Sequence, residues 1–451
     1  MDFNELKKAA FSEASKLGLK EYDLFYMAEE SMESEAFRDE IQSAKSSVSG
    51  GISFRAIVDG HVGMASTEVL TEEEMKNLVS KAYENGKYID NEDKHFIYEG
   101  ASSYEKVPPR DYEESDMKTL KDKTLALQKT IYDKDSRISD GTSTGVYSSY
   151  LKIHLANSKG LDLEDSKGMS FSYGSAVARQ GEGDNIETRS GSHILCCPLK
   201  DMTTMEEAVK DAVSQFGASK DIISGKRKIV FSSGSMRQIL GTFSSVFSGV
   251  NVQMGLSLLR DKLNEVIGSS CVTICDDPFD ERWNFTTAFD CEGYPTYKKN
   301  VVEKGVLKTF LYDMTSAAKD GVSSTGNGFR SSYNSFVSVM PNSFYLCPGS
   351  LTKEELYHTC KDGIYVTEMK GFHAGASPIT GDFSIESAGF EIKDGKVGRP
   401  LEGFTVAGNF YSLLKDIEAI SNEVEFGFPS GNFTRFGSPE VLVKELVVGG
   451  V

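Results

Sequence analysis

Histidine and positive charge are both scarce in this sequence. Only six of its 451 residues are histidines, at positions 61, 95, 154, 193, 358 and 373, and no two of them are four or five residues apart. This spacing excludes a helix that binds zinc through a pair of histidines. The chain has 49 Lys and Arg against 67 Asp and Glu, a net charge of −18. Because contact with a phosphate backbone needs clustered cations, we expect no direct binding of DNA or RNA.

Long apolar runs are missing as well. No stretch of 18 apolar residues occurs, so we expect no membrane-spanning segment and no membrane partner. The first eight residues are charged and lack the apolar core of a signal peptide. We therefore predict a cytoplasmic protein.

The cysteines do not form the pattern of a disulfide framework. There are seven, an odd number, and they are scattered apart from the adjacent Cys196 and Cys197. This usage is typical of a reducing compartment. Cys271 and Cys275 have the spacing of half a metal site, but no second half follows, so we predict two buried free thiols in an apolar strand.

Length and glycine content predict several domains that are rich in turns. A chain of 451 residues exceeds what one core normally supports, and its 42 glycines favour hairpins over long helices. We predict an α+β protein with a mixed α/β N-terminal domain (1–95) and a middle α/β domain (110–215). A large C-terminal domain (222–451) is predicted to consist of antiparallel hairpins around a buried helix. The polar segment 90–111 is predicted to be a linker between the first two domains.

The N-terminal range alternates between helical and strand patterns. We predict a helix over residues 3–17, strands from residue 22 onwards with a turn at Gly50-Gly51, and a helix that begins at Thr71. Residues 51–67 predict a β-hairpin with a turn at Asp59-Gly60, in which Gly63 allows a close approach of backbones. His61 and His95 are interpreted as solvated or hydrogen-bonded side chains.

Residues 141–145 match the G-x-S-x-G pattern of a serine hydrolase. That motif needs a buried strand before the serine and a helix after it. Here a polar segment precedes it and the strand-like residues 146–155 follow. We therefore predict a hairpin loop.

The most informative stretch is residues 233–278. Apolar residues recur at helical spacing from Met236 to Phe247, which predicts an amphipathic helix with Ser235 as its N-cap. A second apolar run, from Met254 to Val266, leads into a predicted strand over residues 271–275. From periodicity alone this helix would be an ordinary packing helix.

Four segments carry a resemblance to a known family. They are the G-x-x-x-R-x-x-x-D-G hairpin at residues 51–60, the TI-x-DDP run at 273–278, G-D-F-S at 381–384 and G-S-P at 437–439. In these segments the chain resembles the TldD/PmbA peptidases, also called modulators of DNA gyrase. The resemblance covers all three predicted domains.

The resemblance also indicates which three positions of this chain correspond to the zinc-binding and catalytic residues of the family. In the catalytic branch of the family, the helix before TI-x-DDP carries His-Glu-x-x-x-His, which supplies two zinc ligands and a general base. Gly241, Thr242 and Val246 occupy those positions here, and zinc needs imidazole, thiolate or carboxylate donors. The resemblance therefore implies the non-catalytic branch, called TldE or PmbA, with no catalytic residue, metal or cofactor of its own.

In the catalytic branch, the third zinc ligand is a cysteine in a glycine-rich segment. The corresponding segment of this chain is also glycine-rich. It contains His373 and Gly375 and resembles the G-x-H-S-G of the non-catalytic branch. One interpretation is that His373 and Gly375 line a vestigial cleft and bind a peptide backbone. The other, which we favour, is a turn histidine that is satisfied by neighbouring carbonyls.

Two functional hypotheses follow. In the first, the chain is the subunit without metal in a peptidase complex, where a zinc-bearing TldD-like partner cuts unfolded peptides. In the second, it is a peptide-binding or chaperone-like homodimer without a protease partner. A third hypothesis, an autonomous serine or cysteine hydrolase, is supported only by the motif match at residues 141–145.

Overall fold

A computed structural model of the chain describes residues 1–89, 93–282, 285–431 and 433–450. The first half forms a six-stranded antiparallel sheet, the first sheet, in the order β3-β2-β1-β4-β5-β6. Its strands are β1 (Glu21–Phe37), β2 (Glu40–Val58), β3 (His61–Thr67), β4 (Ser143–Asn157), β5 (Asp162–Gln180) and β6 (Glu187–Cys196). Since β1 pairs with β4 from Asp23 to Phe37, the predicted N-terminal and middle ranges contribute to one continuous sheet. Residues 90–92 of the predicted linker lie outside the described residues.

Helices pack against the first sheet in two groups. Two of them enclose one apolar core with β1 and β2, and the other two enclose a second core with β4 and β5. They are α1 (Phe3–Lys16), α2 (Glu72–Tyr88), α3 (Met117–Lys134) and α4 (Glu206–Ser214). The side chain of Thr71 accepts a hydrogen bond from Glu74 N, so the predicted start of α2 is confirmed.

The predicted turn at Gly50-Gly51 is wrong. Strand β2 runs straight through both glycines, and the hairpin turns instead at Arg38 and Asp39, whose φ angles are 52° and 62°. Gly50 lies directly opposite Ala28 of β1, and a Cβ atom on Gly50 would lie 2.5 Å from Ala28 Cα. The glycine therefore allows two strands to approach closely and does not reverse the chain.

The predicted hairpin of residues 51–67 is confirmed. Val58 pairs with His61, and Asp59 and Gly60 form the turn with φ angles of 51° and 91°. A Cβ atom on Gly63 would lie 2.0 Å from Ala82 O of α2. Gly63 thus allows β3 to lie directly against the backbone of α2, as the sequence predicted.

Residues 141–145 form a turn that leads into a strand. Ser143 is the first residue of β4, so a strand follows the serine where a nucleophile motif requires a helix. Thr142 Oγ1 donates a hydrogen bond to Ser139 O at 3.0 Å, within the turn. The structure therefore agrees with the predicted hairpin loop.

The C-terminal region contains a closed barrel and a second sheet. The barrel consists of β7 (Gly225–Phe231), β14 (Gly363–Lys370), β15 (Asp382–Lys393), β16 (Lys396–Asn409) and β20 (Val441–Gly450), and β16 pairs with β20 to close it. Strand β17 (Ile417–Ile420) extends the barrel beside β20. The second sheet comprises β8 (Ile274–Asp276), β9 (Lys299–Glu303), β10 (Val306–Leu307), β13 (Ser343–Leu346), β18 (Glu425–Phe426) and β19 (Arg435–Ser438). Hairpins dominate, and the pairs β7–β14 and β13–β19 are parallel.

The remaining elements are short. They are the helices α6 (Gly249–Gln253), α7 (Met314–Asp320), α8 (Lys353–Cys360), α9 (Phe372–Gly375) and α10 (Phe410–Asp416), and the paired strands β11 (Gly328–Phe329) and β12 (Ser338–Val339). Together with the first sheet, the barrel, the second sheet and the longer helices they form the predicted α+β fold, which is confirmed.

The predicted buried helix is α5 (Ser233–Phe243), and its apolar face lies in the largest core. Its N-cap is Ser232, whose side chain accepts a hydrogen bond from Ser235 N, so the predicted cap at Ser235 is wrong. Phe243 stacks on Phe410 with ring centroids 4.8 Å apart. A 3₁₀ turn, Ser244–Phe247, follows and ends the α-helix four residues before the predicted apolar pattern does.

The second apolar run is not regular secondary structure. Residues 254–266 form successive turns, and several of their large apolar side chains are exposed, including Met254, Leu258 and Val266. Cys271 is exposed as well, because the strand begins only at Ile274, so its predicted burial is wrong. Cys275 is buried as predicted. Among the described residues, no helix is long and apolar enough to cross a membrane.

The contact at Gly63 generates a prediction about stability. Gly63→Ala should lower the free energy of unfolding by about 1–3 kcal/mol, because its methyl group overlaps the α2 backbone. Gly398→Ala in β16 is the matched control, since a Cβ atom there meets nothing closer than Glu391 O at 3.5 Å. Urea denaturation of both variants measures the difference, and equal stabilities would contradict the prediction.

Candidate functional site

Gly241 and Thr242 lie in the last turn of α5. Both are half-buried, and a Cβ atom on Gly241 would lie 3.1 Å from the ring of Phe436 on β19. The aromatic ring therefore lies close to the space that a larger side chain at position 241 would occupy.

Val246 lies beyond the end of α5, in the 3₁₀ turn. Its side chain is 1% exposed and belongs to the core that the barrel and the second sheet share. The tighter turn changes the helical phase between positions 241 and 246, so the two residues are not held on one α-helical face.

These three residues do not fit a zinc site. Glycine and valine have no donor atom, and a threonine hydroxyl is not among the donors that zinc prefers. Within the described ranges, no group of three or more His, Cys, Asp or Glu side chains is arranged to hold a metal ion.

His373 and Gly375 lie in α9, a single helical turn before β15. The turn is closed by Gly375 N, which donates to Gly371 O at 2.9 Å, and Gly371 has a φ of 88°. His373 is exposed, whereas a Cβ atom on Gly375 would lie 2.5 Å from Ser384 O of β15. Gly375 is thus packed on the barrel and Gly241 on the second sheet. The peptide-binding role of His373 and Gly375 stays a prediction.

A cavity that the sequence did not indicate lies between the β2–β3 hairpin and the C-terminal region. Its volume is about 410 Å³, and its lining combines apolar side chains, such as Val62, Met64 and Phe336, with hydroxyl, amide and charged groups. The charged and hydroxyl-bearing members include Arg55, Asp93, Ser245, Ser248, Glu292, Asp313 and Lys319. His95 also lines it, with Nδ1 3.2 Å from Thr315 Oγ1, which agrees with the prediction of a hydrogen-bonded histidine.

Beside this cavity lies a buried network of ion pairs that joins the two halves of the chain. Arg55 Nε donates to Asp23 Oδ2 at 2.8 Å, and Arg55 Nη1 lies 3.7 Å from Glu292 Oε1. Arg330 Nη1 donates to Ser53 Oγ at 2.9 Å. The hairpin of the first sheet is therefore tied to two C-terminal segments through charge-assisted contacts.

Burial shifts the pKa values of three titratable side chains in or near this network. Burial raises the pKa of Glu292 to about 7, an effect that Arg55 opposes and Asp313 reinforces. Burial, followed by the charge of Glu292, also raises the pKa of Asp290 well above its ordinary value. Burial lowers the pKa of His95. Arg55 was visible in the sequence as part of the hairpin motif, but Glu292 lies in no recognisable pattern.

Comparisons with known proteins agree with this architecture. Three family models match in succession: PmbA/TldA metallopeptidase domain 1 over residues 22–86, the central domain over residues 109–220 and the C-terminal domain over residues 224–450. The first sheet, the barrel and the three family matches together identify this class of protein as one with the three-domain PmbA/TldA metallopeptidase architecture. The chain belongs to the PmbA/TldD family, and the resemblance found in the sequence is confirmed.

Similar proteins include both sequences and solved structures. An uncharacterized protein of Methanocaldococcus jannaschii is 29% identical over 413 residues, which cover 90% of this chain and 91% of that protein. A Thermotoga maritima structure, named as a modulator of a DNA gyrase, has a TM-score of 0.87 at 28% identity and covers 99% of this chain and 100% of its own. TldE from Thermococcus kodakarensis has a TM-score of 0.86 at 22% identity, covers 99% of this chain and 100% of its own, and shares the fold.

The raised pKa of Glu292 predicts a pH dependence of stability. The folded chain retains a proton on Glu292 up to about pH 7, whereas the unfolded chain loses it near pH 4.5. Stability should therefore fall as the pH rises between these values, by up to about 3 kcal/mol from this group.

Glu292→Gln should flatten the pH profile in that window. Urea unfolding at half-unit steps from pH 4.5 to 7.5 measures the profile, and the exposed Glu105→Gln serves as the control. A slope in Glu292→Gln as steep as in the unmodified chain would contradict the assignment.

Proposed function

We propose that this chain is the non-catalytic subunit of a cytoplasmic peptidase complex, in which a zinc-bearing TldD-like partner cuts unfolded peptides. The observation that carries the proposal is the helix end that the family's catalytic branch uses for zinc. Here that end bears Gly241 and Thr242, with Val246 in the core behind it. Peptide cleavage therefore depends on a second chain.

The surroundings of these positions support the same conclusion. Gly241 packs beside Phe436, and the Val246 side chain lies among apolar residues. An imidazole at either position would have to displace an aromatic ring or enter a core without hydrogen-bond partners, which is costly. This packing supports the proposal that α5 has a structural role in this chain.

The chain's own contribution is to hold an extended peptide. In the described part of the chain, strand β3 at one end of the first sheet has a strand neighbour on one side only. An unfolded peptide can add to such an edge through backbone hydrogen bonds. His373 and Gly375, in the turn before β15, are proposed to contact the peptide backbone.

Two further observations support a cytoplasmic location. All seven cysteines are free, including the adjacent Cys196 and Cys197. Free thiols at exposed positions such as Cys271 persist in a reducing compartment. The net charge of −18 also suits a partner that is a protein and not a nucleic acid.

Purification from native cells tests the proposal. We expect a second, zinc-containing chain to copurify, peptidase activity only when both chains are present, and well below one zinc per chain in this protein alone by elemental analysis. Recovery of a lone homodimer that protects peptides from cleavage would favour the chaperone-like alternative instead. Hydrolysis by the isolated chain with bound zinc would contradict both.

Restoring the missing side chains should not restore activity. The triple variant Gly241→His, Thr242→Glu and Val246→His is expected to give no peptide hydrolysis with added zinc, because the segment around His373 supplies no cysteine ligand. Thr242→Glu alone, at a half-buried position, is the control for expression and folding. Circular dichroism verifies the fold of each variant, and robust hydrolysis by the triple variant would refute the expectation.

A further inference from the structure

We propose that the cavity between the β2–β3 hairpin and the C-terminal region binds a primary ammonium group carried on an apolar body, as found in a free alkylamine or at the amino terminus of a peptide. Such binding needs no second subunit, so it is independent of the proposed function. Three features of the cavity support it: its size and apolar lining, a buried carboxylate without a cation, and a buried hydroxyl without a partner.

The cavity has the size and the mixed lining of a small-molecule site. Its volume of about 410 Å³ falls within the range of about 300–1,000 Å³ that is usual for ligand pockets. Lys319 and Phe336 line it and are also exposed, so it reaches the protein surface. Its apolar lining, which suits an alkyl substituent of a ligand, consists of Val62, Met64, Val250, Phe336, Val337 and Val339.

The Lys and Arg side chains of the lining already have carboxylate partners. Lys319 Nζ lies 2.6 Å from Asp93 Oδ1. Arg55 Nε donates to Asp23 Oδ2 at 2.8 Å, and Arg330 Nη2 lies 3.5 Å from the other oxygen of the same carboxylate. An anionic ligand would have to compete with these carboxylates, so the lining does not favour an anion.

Asp313, by contrast, is a carboxylate of the lining without a cation. It is 8% exposed, and its Oδ1 accepts hydrogen bonds from Ser316 N at 2.7 Å and from Ser316 Oγ at 2.6 Å. Among the described residues, no cation pairs with Asp313. Glu292 brings a second carboxylate to the same place, because its Oε2 accepts from the N–H of Met314, the next residue, at 2.8 Å. Since a buried carboxylate without a counter-charge is unfavourable, an ammonium group bound here is stabilised.

Ser248 is a buried polar residue of the same lining whose side chain has no partner. It is 8% exposed and is the N-cap residue of α6, but its side chain makes no capping hydrogen bond. In the part of the chain that the structure describes, its hydroxyl forms no other hydrogen bond either. Buried hydroxyls are normally hydrogen-bonded, and an ammonium group has three N–H donors, more than one carboxylate oxygen uses. A bound ammonium compound therefore offers the hydroxyl a partner.

Calorimetric titration of the full-length chain tests the proposal. The probe is 3-methylbutylamine at pH 7.5, above the pKa of about 7 to which burial raises Glu292. We expect it to bind at least about tenfold more tightly than 3-methylbutanol, which lacks the charge, and than methylamine, which lacks the apolar body. Equal binding of the alcohol and the amine, or no binding of the amine at millimolar concentration, would overturn the proposal.

Two peptides distinguish the sources of such an ammonium group. They are the amide of the tripeptide Leu-Ala-Ala and its N-acetylated form. Binding of the free peptide that is lost on acetylation assigns the cavity to a peptide amino terminus, whereas binding of 3-methylbutylamine alone assigns it to a free amine. Either result supports recognition of an ammonium group, and binding of the acetylated peptide as tight as that of the free one would contradict it.

Variants locate the site. Asp313→Asn removes the charge but keeps a residue that caps helices well, so the fold should persist and the amine should bind at least about tenfold more weakly. Asp116→Asn is the matched control, because Asp116 caps α3 in the same way at an exposed position outside the cavity. Ser248→Ala should weaken binding by about twofold to tenfold. Circular dichroism verifies the fold of each variant, and equal affinities of Asp313→Asn and Asp116→Asn for the amine would refute the assignment.

Discussion

The burial of helix α5 between the barrel and the second sheet is the constraint on which the C-terminal region depends. Phe243 stacks on Phe410 and lies near Phe383, while Val246 and Phe247 continue the same core beyond the helix. Burial of each such side chain contributes about 1.5–3 kcal/mol. A polar side chain introduced at Val246 would lose part of this stabilisation and lack a hydrogen-bond partner.

A second constraint joins the halves of the chain. Arg55 belongs to the hairpin of the first sheet, yet it pairs with both Asp23 and the C-terminal Glu292. Removal of either Arg55 or Asp23, the closely paired members of this network, leaves an uncompensated buried charge, which costs about 3–5 kcal/mol. The arginine of the hairpin motif therefore has a structural role, since it fixes the hairpin against the segment that carries Glu292. The cavity beside it exists because the two halves meet at this network.

The family relationship and the residues of this chain lead to different expectations about chemistry. The matches to metallopeptidase domains identify the scaffold, whereas Gly241, Thr242 and Val246 stand at the positions that the sequence resemblance assigns to the zinc site. A fold can persist after its reactive groups have been replaced, because packing and catalysis depend on different atoms.

Local patterns were enough to predict the Asp59-Gly60 hairpin, the Thr71 cap and the buried face of α5, because turn geometry, capping and side-chain periodicity depend on neighbouring residues. The identities of Gly241, Thr242 and Val246, at the positions that the resemblance assigns to the zinc site, are likewise a property of the sequence. Tertiary structure alone decided that β1 pairs with β4, that β16 closes the barrel on β20, and that Arg55 meets Glu292. Each of these contacts joins segments that are distant along the chain, and no local pattern encodes which distant strands pair. Gly50 is an example. A glycine in the sequence is compatible with a turn or with a close approach of two strands, and only the position of Ala28 on the opposite strand shows that Gly50 allows a close approach.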